Sequence, residues 1–257
     1  MFWRSVFCAA FLFSAVAIAR RGRLAVVVRE TGWPGVLMAA CFATASICFI
    51  MALARTSVAN TLVIQSLSPF IAGLGGWLFL GERVRPRTWV AMGVALIGTV
   101  VMLWGSAGIG SHIGDLLALG TATAFAGATV VVRWRHTVPM PAAAALAAAL
   151  GAGLAFTWAD PSSATASDLA LLALFGVGQL GAGLLLFTAG ARLIPVAEAS
   201  LIGVLECVLE PLWVWLAVGE QPGVFSLIGG AVILSALIAH TAADLVRPPQ
   251  PPGARNR

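Results

Sequence analysis

Polar and apolar positions in this chain fall into blocks. Nine long apolar runs stand out, at residues 2–19, 33–53, 58–80, 88–104, 113–132, 140–158, 169–190, 196–218 and 224–243, with short polar clusters between them. Runs of roughly 20 residues cross a ~30 Å hydrocarbon core as helices. Inside that core every backbone N–H and C=O must be satisfied by the chain itself, which leaves helices or a closed barrel. Barrel strands alternate polar and apolar over about 10 residues, and these runs do not. The pattern therefore predicts an all-α integral membrane protein of about nine transmembrane helices. The first run is expected to be retained and not cleaved as a leader. Arg4 sits early in it, and it ends in Arg20-Arg21-Gly22-Arg23 without a small-residue cleavage pattern, so it reads as a retained helix.

Composition sharpens this picture. Hydrophobic residues make up 60% of the 257 and charged residues only 10%, against about 25% charged in a soluble domain. A net charge of +5 raises the question of nucleic acid. All the basic residues are Arg, however, and they sit at the ends of runs, so membrane topology accounts for them. Arg20, Arg21, Arg23, Arg29, Arg83, Arg85, Arg87, Arg133, Arg135, Arg192, Arg247, Arg255 and Arg257 fall on one side. By the positive-inside rule that side is cytoplasmic and holds the C-terminus. Trp33, Trp89, Trp104, Trp134 and Trp158 lie near run ends, where an amphipathic ring prefers the headgroup layer. Cys8, Cys41, Cys48 and Cys207 sit inside apolar runs without CxxC spacing, which argues for small packing residues and against a metal or disulfide framework. Residues 246–257 read as a disordered, Pro-rich tail.

The chain also repeats itself. Residues 58–82, VANTLVIQSLSPFIAGLGGWLFLGE, align with residues 196–220, VAEASLIGVLECVLEPLWVWLAVGE, at an offset of 138, and nine of the 25 positions are identical. The pairs Trp77-Leu78/Trp215-Leu216 and Gly81-Glu82/Gly219-Glu220 are hard to obtain by chance in apolar sequence. The copies occupy the third and eighth runs. An odd separation makes them cross in opposite directions, the inverted repeat of many secondary transporters. The first repeat covers residues 1–107 with four helices and the second 113–245 with five. The expectation is that the first helix of the first repeat is missing, through a late start or a true absence.

These residues resemble the EamA-like proteins of the drug/metabolite transporter superfamily. The carrying motifs are Phe2-Trp3-Arg4-Ser5, Leu67-Ser68-Pro69-Phe70, and Trp77 through Arg83 in the first repeat. In the second they are Leu205-Glu206-Cys207, Pro211-Leu212-Trp213, Gly219-Glu220 and Leu227-Ile228-Gly229-Gly230. The resemblance covers nearly the whole chain apart from the tail. It implies ten helices in two inverted five-helix halves, a central cavity, and export or exchange of small metabolites, often amino acids. Two departures stand out: the first family helix is absent, and Cys207 replaces the proline that usually follows the glutamate, at the position aligned with Pro69.

Few residues in the spans carry chemistry. Glu206 lies mid-span, where a charged side chain costs roughly 2.5–3.5 kcal/mol on insertion scales. It reads either as a proton-coupling or substrate-amine carboxylate, or as a protonated Glu bonded to a neighbouring helix. Glu210 lies one turn further along the same face, as an extension of an anionic patch or as a solvated interfacial residue. Gln65, Ser66 and Ser68 occupy the matching depth of the first copy. Gln65 and Gln179 read as substrate contacts or as interhelical hydrogen bonds. Gly176, Gly178, Gly181 and Gly183 around Gln179 point to close helix approach. Pro69 and Pro211 are hinge candidates. Glu82 and Glu220 are expected to end their helices, Glu82 pairing locally with Arg83 or Arg85. Arg4 is expected to reach the outer interface.

The expected function is secondary transport of a small metabolite across the cytoplasmic membrane by alternating access, through a midplane cavity between Gln65, Ser68, Gln179, Glu206 and Glu210. No nucleophile–base pair or ligand cluster at one depth suggests an enzyme, and no cofactor or metal is expected. The partners expected are a small-molecule substrate and the lipid bilayer, with a second copy of the chain as a candidate and no nucleic acid. A non-transporting membrane scaffold and a translocator of lipid-linked substrates are the rival readings.

Overall fold

The computed structural model describes residues 1–22, 24–104, 111–135, 140–157, 159–160, 162, 164–219 and 223–245. Those residues form helices without a strand: α1 (Phe2–Ala19), α2 (Leu24–Leu53), α3 (Val58–Gln65), α4 (Ser68–Leu80), α5 (Pro86–Met102), α6 (His112–Trp134), α7 (Met140–Phe156), α8 (Ala166–Leu174), a π-helical segment (Phe175–Ala182), α9 (Gly183–Ala191), α10 (Val196–Gly203), α11 (Leu205–Val218) and α12 (Val224–Leu245). The nine apolar runs are all present as rods. Six are long and apolar enough to span a bilayer, and α5 and α7 are shorter. The rod built from α10 and α11 is not among these; it carries Glu198, Glu206 and Glu210.

The largest difference in boundaries from the sequence pattern lies at the start of the second rod. Residues 24–31, which the Arg29-Glu30 pair marks as a loop, are helical and join the second rod across a kink at Gly32, with φ 57° and ψ −169°. That backbone region is open essentially to glycine alone, and Pro34 cannot supply the amide that would continue the helix smoothly.

Three features of the spans repay their polarity or their composition. Thr61, Thr99, Thr121, Thr129 and Thr188 are buried, and each hydroxyl donates to the carbonyl four residues earlier, so none is left unpaired in a low-dielectric core. Ala142, Ala143, Ala144 and Ala145 on α7 are fully buried, and these small side chains let α7 lie close against α1 and α2. Gly98 and Gly229 bring α5 and α12 into backbone contact. A Cβ on Gly229 would strike the Gly98 carbonyl and the Met102 backbone.

The duplicated spans share their irregularities. The first breaks after eight residues, between Gln65 and Ser68, and the second between Gly203 and Leu205, at the same register of the repeat. Both close on a left-handed glycine, Gly81 at φ 69° and Gly219 at φ 80°, a conformation that costs other L-residues roughly 1–2 kcal/mol.

Cross-links fix the directions of the spans. The Thr56 hydroxyl, just before α3, donates to Asp115 in the first turn of α6 at 2.9 Å. Glu82, just after α4, meets Arg133 in the last turn of α6 at 2.7 Å. The first copy and α6 are therefore parallel. The N–H of Val196, which opens α10, donates to that same Glu82 at 3.1 Å. From there the contacts run backwards: a Cβ on Gly76 would lie 3.3 Å from Val196, and one on Gly73 3.6 Å from Ala197. The second copy starts where the first ends and runs against it. The repeats are inverted.

Two cores hold the bundle. One packs Cys8, Leu12, Met38, Val132 and Ala143–145 from α1, α2, α6 and α7; the other packs Leu62, Met92, Leu201, Val204 and Ile233 from α3, α5, α10 and α12. Each contains helices of both repeats, so the halves interlock instead of folding side by side.

Candidate functional site

The break in the first copy lies between two cavities. Asn60, Val63 and Ile64 on α3 line one, of about 460 Å³, at the end of the bundle where α3 and α6 begin. Gly73 and Gly76 on α4 line the other, of about 550 Å³, at the end where α4 finishes. Ile64 and Gly73 are nine residues apart, or about 13 Å along a helix at 1.5 Å per residue. Gln65, Ser66, Leu67 and Ser68 form the first half of that interval. Two short hydrogen bonds shape the break: the Ser66 hydroxyl donates to the Val63 carbonyl at 2.7 Å, and the Leu67 N–H donates to Ile64 at 3.1 Å. Pro69 sits in the first turn of α4, where its missing N–H costs nothing. Ser66, Ser68 and Pro69 are buried. The Oε1 of Gln65 is enclosed with no donor among the described residues, and so is the hydroxyl of Ser200 on α10. Neither Gln65 nor Ser68 is among the residues that line the two cavities; both lie in the break between them.

The second copy is arranged differently. Its break precedes the expected hinge. It falls at Val204, and α11 continues through Pro211 without interruption. Cys207 is buried and packs among Leu201, Val204 and Ile233. Glu206 beside it is exposed; the side chain of Glu210 lies outside the described residues. Gln179 is exposed on the π-helical segment, whose main packing partners are α1, α8 and α9. The glycines around it act in close approach: a Cβ on Gly176 would press on Phe7 at 2.9 Å, and one on Gly181 on Phe11 at 2.7 Å. Gly178 and Gly183 meet nothing within 4 Å.

The larger cavity is charged. Arg83, Arg85, Arg133, Glu82 and Glu198 all line it. Glu82, expected from the sequence to pair with its neighbours Arg83 or Arg85, pairs with Arg133, 51 residues away. The left-handed turn at Gly81 points the carboxylate at α6 and at the start of α10. There it serves as the acceptor that α10 lacks, because Pro195 stands at the N-cap and has no capping side chain. The equivalent position before α3 is Ser57, which caps its own helix by accepting from the Asn60 N–H at 3.1 Å. Arg133 also donates to the Arg192 carbonyl at 2.8 Å, tying the loop before α10 into the same knot. Arg4, expected to reach the outer interface, has its Nε enclosed within the bundle.

Sequence reasoning overlooked Asn60, Asp115, Arg133 and Glu198. A usable signal existed for two of them. The offset of 138 superposes Asn60 on Glu198, a polar pair at one register, and the inverted repeat sends them to opposite cavities. Asp115 and Arg133 lie outside the duplicated stretch. No group of three or more His, Cys, Asp or Glu side chains among the described residues could hold a metal ion.

The sequence model of the EamA-like transporter family matches residues 1–104 and 112–241. The chain is 29% identical to a riboflavin transporter of Rhizobium johnstonii over 97% of its own length and 82% of that protein. It is 28% identical to the pseudopaline exporter CntI of Pseudomonas aeruginosa, over 88% and 78%, and 27% identical to the uncharacterized transporter YwfM of Bacillus subtilis, over 84% and 76%. A solved crystal structure superposes with a TM-score of 0.81 at 23% identity, covering 94% of this chain and 86% of the other. That likeness concerns the fold.

Proposed function

We propose, from the premise that this chain belongs to the EamA-like transporter family and is a multi-pass membrane transporter, that it moves small polar or amphipathic metabolites by alternating access, as a secondary exporter or exchanger. Amino acids and related compounds are the first class to test. The observation that carries this reading is the placing of the first break, Gln65 to Ser68, between cavities that open toward opposite ends of the bundle. A short tightened turn of that kind, with Ser66 and Leu67 still in the right-handed helical region, re-aims with small torsional changes, whereas an intact helix would have to move as a rod. Gln65 and Ser68 are proposed to touch the solute, Pro69 to set the stiffness of the first break, and Glu206 to couple a proton to the change of state. The relatives are named for two different solutes, so the assay begins with pooled metabolites.

The test uses sealed vesicles containing the protein, with and without a pH gradient. Gradient-dependent movement of at least one solute is expected, together with a loss of pH dependence in Glu206→Gln and a fall of tenfold or more in rate for Gln65→Ala. Movement no faster than in protein-free vesicles would remove the transport reading. Full pH dependence in Glu206→Gln would remove the coupling role alone.

A further inference from the structure

The two cavities differ in sign. The larger is lined by three arginines and two glutamates; the smaller has one charged lining group, Asp115. The Asp115 carboxylate accepts from the Thr56 hydroxyl at 2.9 Å, and that hydroxyl in turn accepts from the Asn60 side-chain amide at 3.3 Å, which fixes its orientation. Among the described residues Asp115 has no ion-pair partner. The nearest arginine in sequence to Thr56, Arg55, turns back to the Met51 carbonyl. Residues 105–110, which follow Trp104, are Gly-Ser-Ala-Gly-Ile-Gly and carry no cation. The other lining residues are Val63, Ile64, Val100, Leu103 and Trp104.

A half-buried carboxylate in a cavity otherwise lined by apolar residues and one tryptophan matches one chemical class. Carboxylate attraction, a nearby tryptophan and apolar area all favour an alkylated ammonium, whose charge is diffuse and whose methyl groups shed water easily. An anion would meet unbalanced negative charge, and a bare metal ion would find one carboxylate where several oxygen ligands are needed. We propose that the Asp115–Trp104 cavity is a binding site for amphipathic organic ammonium ions. It lies at the end of the bundle opposite the Glu82 knot and adjoins the proposed solute path at Gln65 and Ser68, so the proposal rests on the same pair of cavities as that reading.

The experiment reads binding and needs no flux, so its outcome is independent of the transport assay. Protein in a nonionic maltoside micelle is titrated with choline chloride at constant ionic strength, and in parallel with the neutral isostere 3,3-dimethyl-1-butanol. The signal is the tryptophan fluorescence change of the native chain minus that of Trp104→Phe. A saturable response to choline is expected, at least tenfold weaker for the neutral isostere and at least tenfold weaker in Asp115→Asn. Val100→Lys, which places an ammonium in the cavity while leaving Asp115 intact, is expected to abolish the choline response and covers the case of a poorly folded Asp115→Asn. An equal response to the isostere, unchanged affinity in Asp115→Asn or Val100→Lys, or no saturable choline signal would overturn the proposal.

Discussion

Glu82 Oε2 accepts the N–H of Val196 at 3.1 Å, so the last residue of the first copy caps the first helix of the second. One carboxylate thus joins two repeats 114 residues apart, while its other oxygen holds Arg133 at 2.7 Å. The Glu82 and Arg133 side chains remain 24% and 29% exposed, so solvent screens their pairing to roughly 0.2–1 kcal/mol. The cap is the larger effect, since an orphaned helix-terminal N–H costs about 1–3 kcal/mol. Thermal unfolding in detergent should therefore show Glu82→Ala more damaging than Arg133→Ala, with Glu82→Gln intermediate. An Arg133→Ala loss as large as that of Glu82→Ala would mean that the ion pair dominates.

Gly229 has no room for a side chain. Gly229→Ala forces the α5–α12 crossing apart or distorts the Met102 backbone, at a cost of about 1–3 kcal/mol. Gly93, on the same helix α5, has nothing within 4 Å of its virtual Cβ, so Gly93→Ala should leave stability unchanged or raise it by about 0.5–1 kcal/mol through the entropy of the unfolded chain. Unfolding midpoints of the two variants should move in opposite directions or differ by several degrees. Equal midpoints would show that this crossing is loosely packed.

The paired glycines that end the two copies make a symmetric prediction. Gly81→Ala should lose about 1 kcal/mol from the left-handed residue, and more where the turn aims Glu82, because a shifted turn withdraws the Val196 cap. Adding Glu82→Ala to Gly81→Ala should then cost less than it does alone, a coupling visible in a double-mutant cycle. Strict additivity would separate the turn from the cap.

Much of this architecture was legible because the bilayer imposes it. Apolar runs long enough to span have to be helices, and a repeat at odd spacing has to be inverted. The unreadable parts depend on distance between segments. Glu82 reads locally as a partner for Arg83 or Arg85, and only the fold reveals that Gly81 turns it toward Arg133 and Val196. Pro211 reads as the hinge of the second copy, yet the break sits at Val204, set by the register shared with Ser66 and not by the proline. The kink at Gly32 was hidden by Arg29 and Glu30, polar residues that mark a loop as readily as an interfacial helix. The π-helical turn at Phe175–Ala182 leaves no periodic trace, since one inserted residue shifts a uniformly apolar run without changing it.

The account depends on the two copies crossing the membrane in opposite senses. Its most direct test is the side from which their starting points can be reached. Arg55, before α3, and Leu193, before α10, are both exposed. Arg55→Cys and Leu193→Cys are made singly in a chain whose four native cysteines are replaced by alanine, and treated with a membrane-impermeant maleimide in right-side-out and inside-out vesicles. Labelling of the two from opposite sides is the expected result. Labelling of both from the same side would contradict the inverted repeat, and with it the pair of cavities on either side of Gln65.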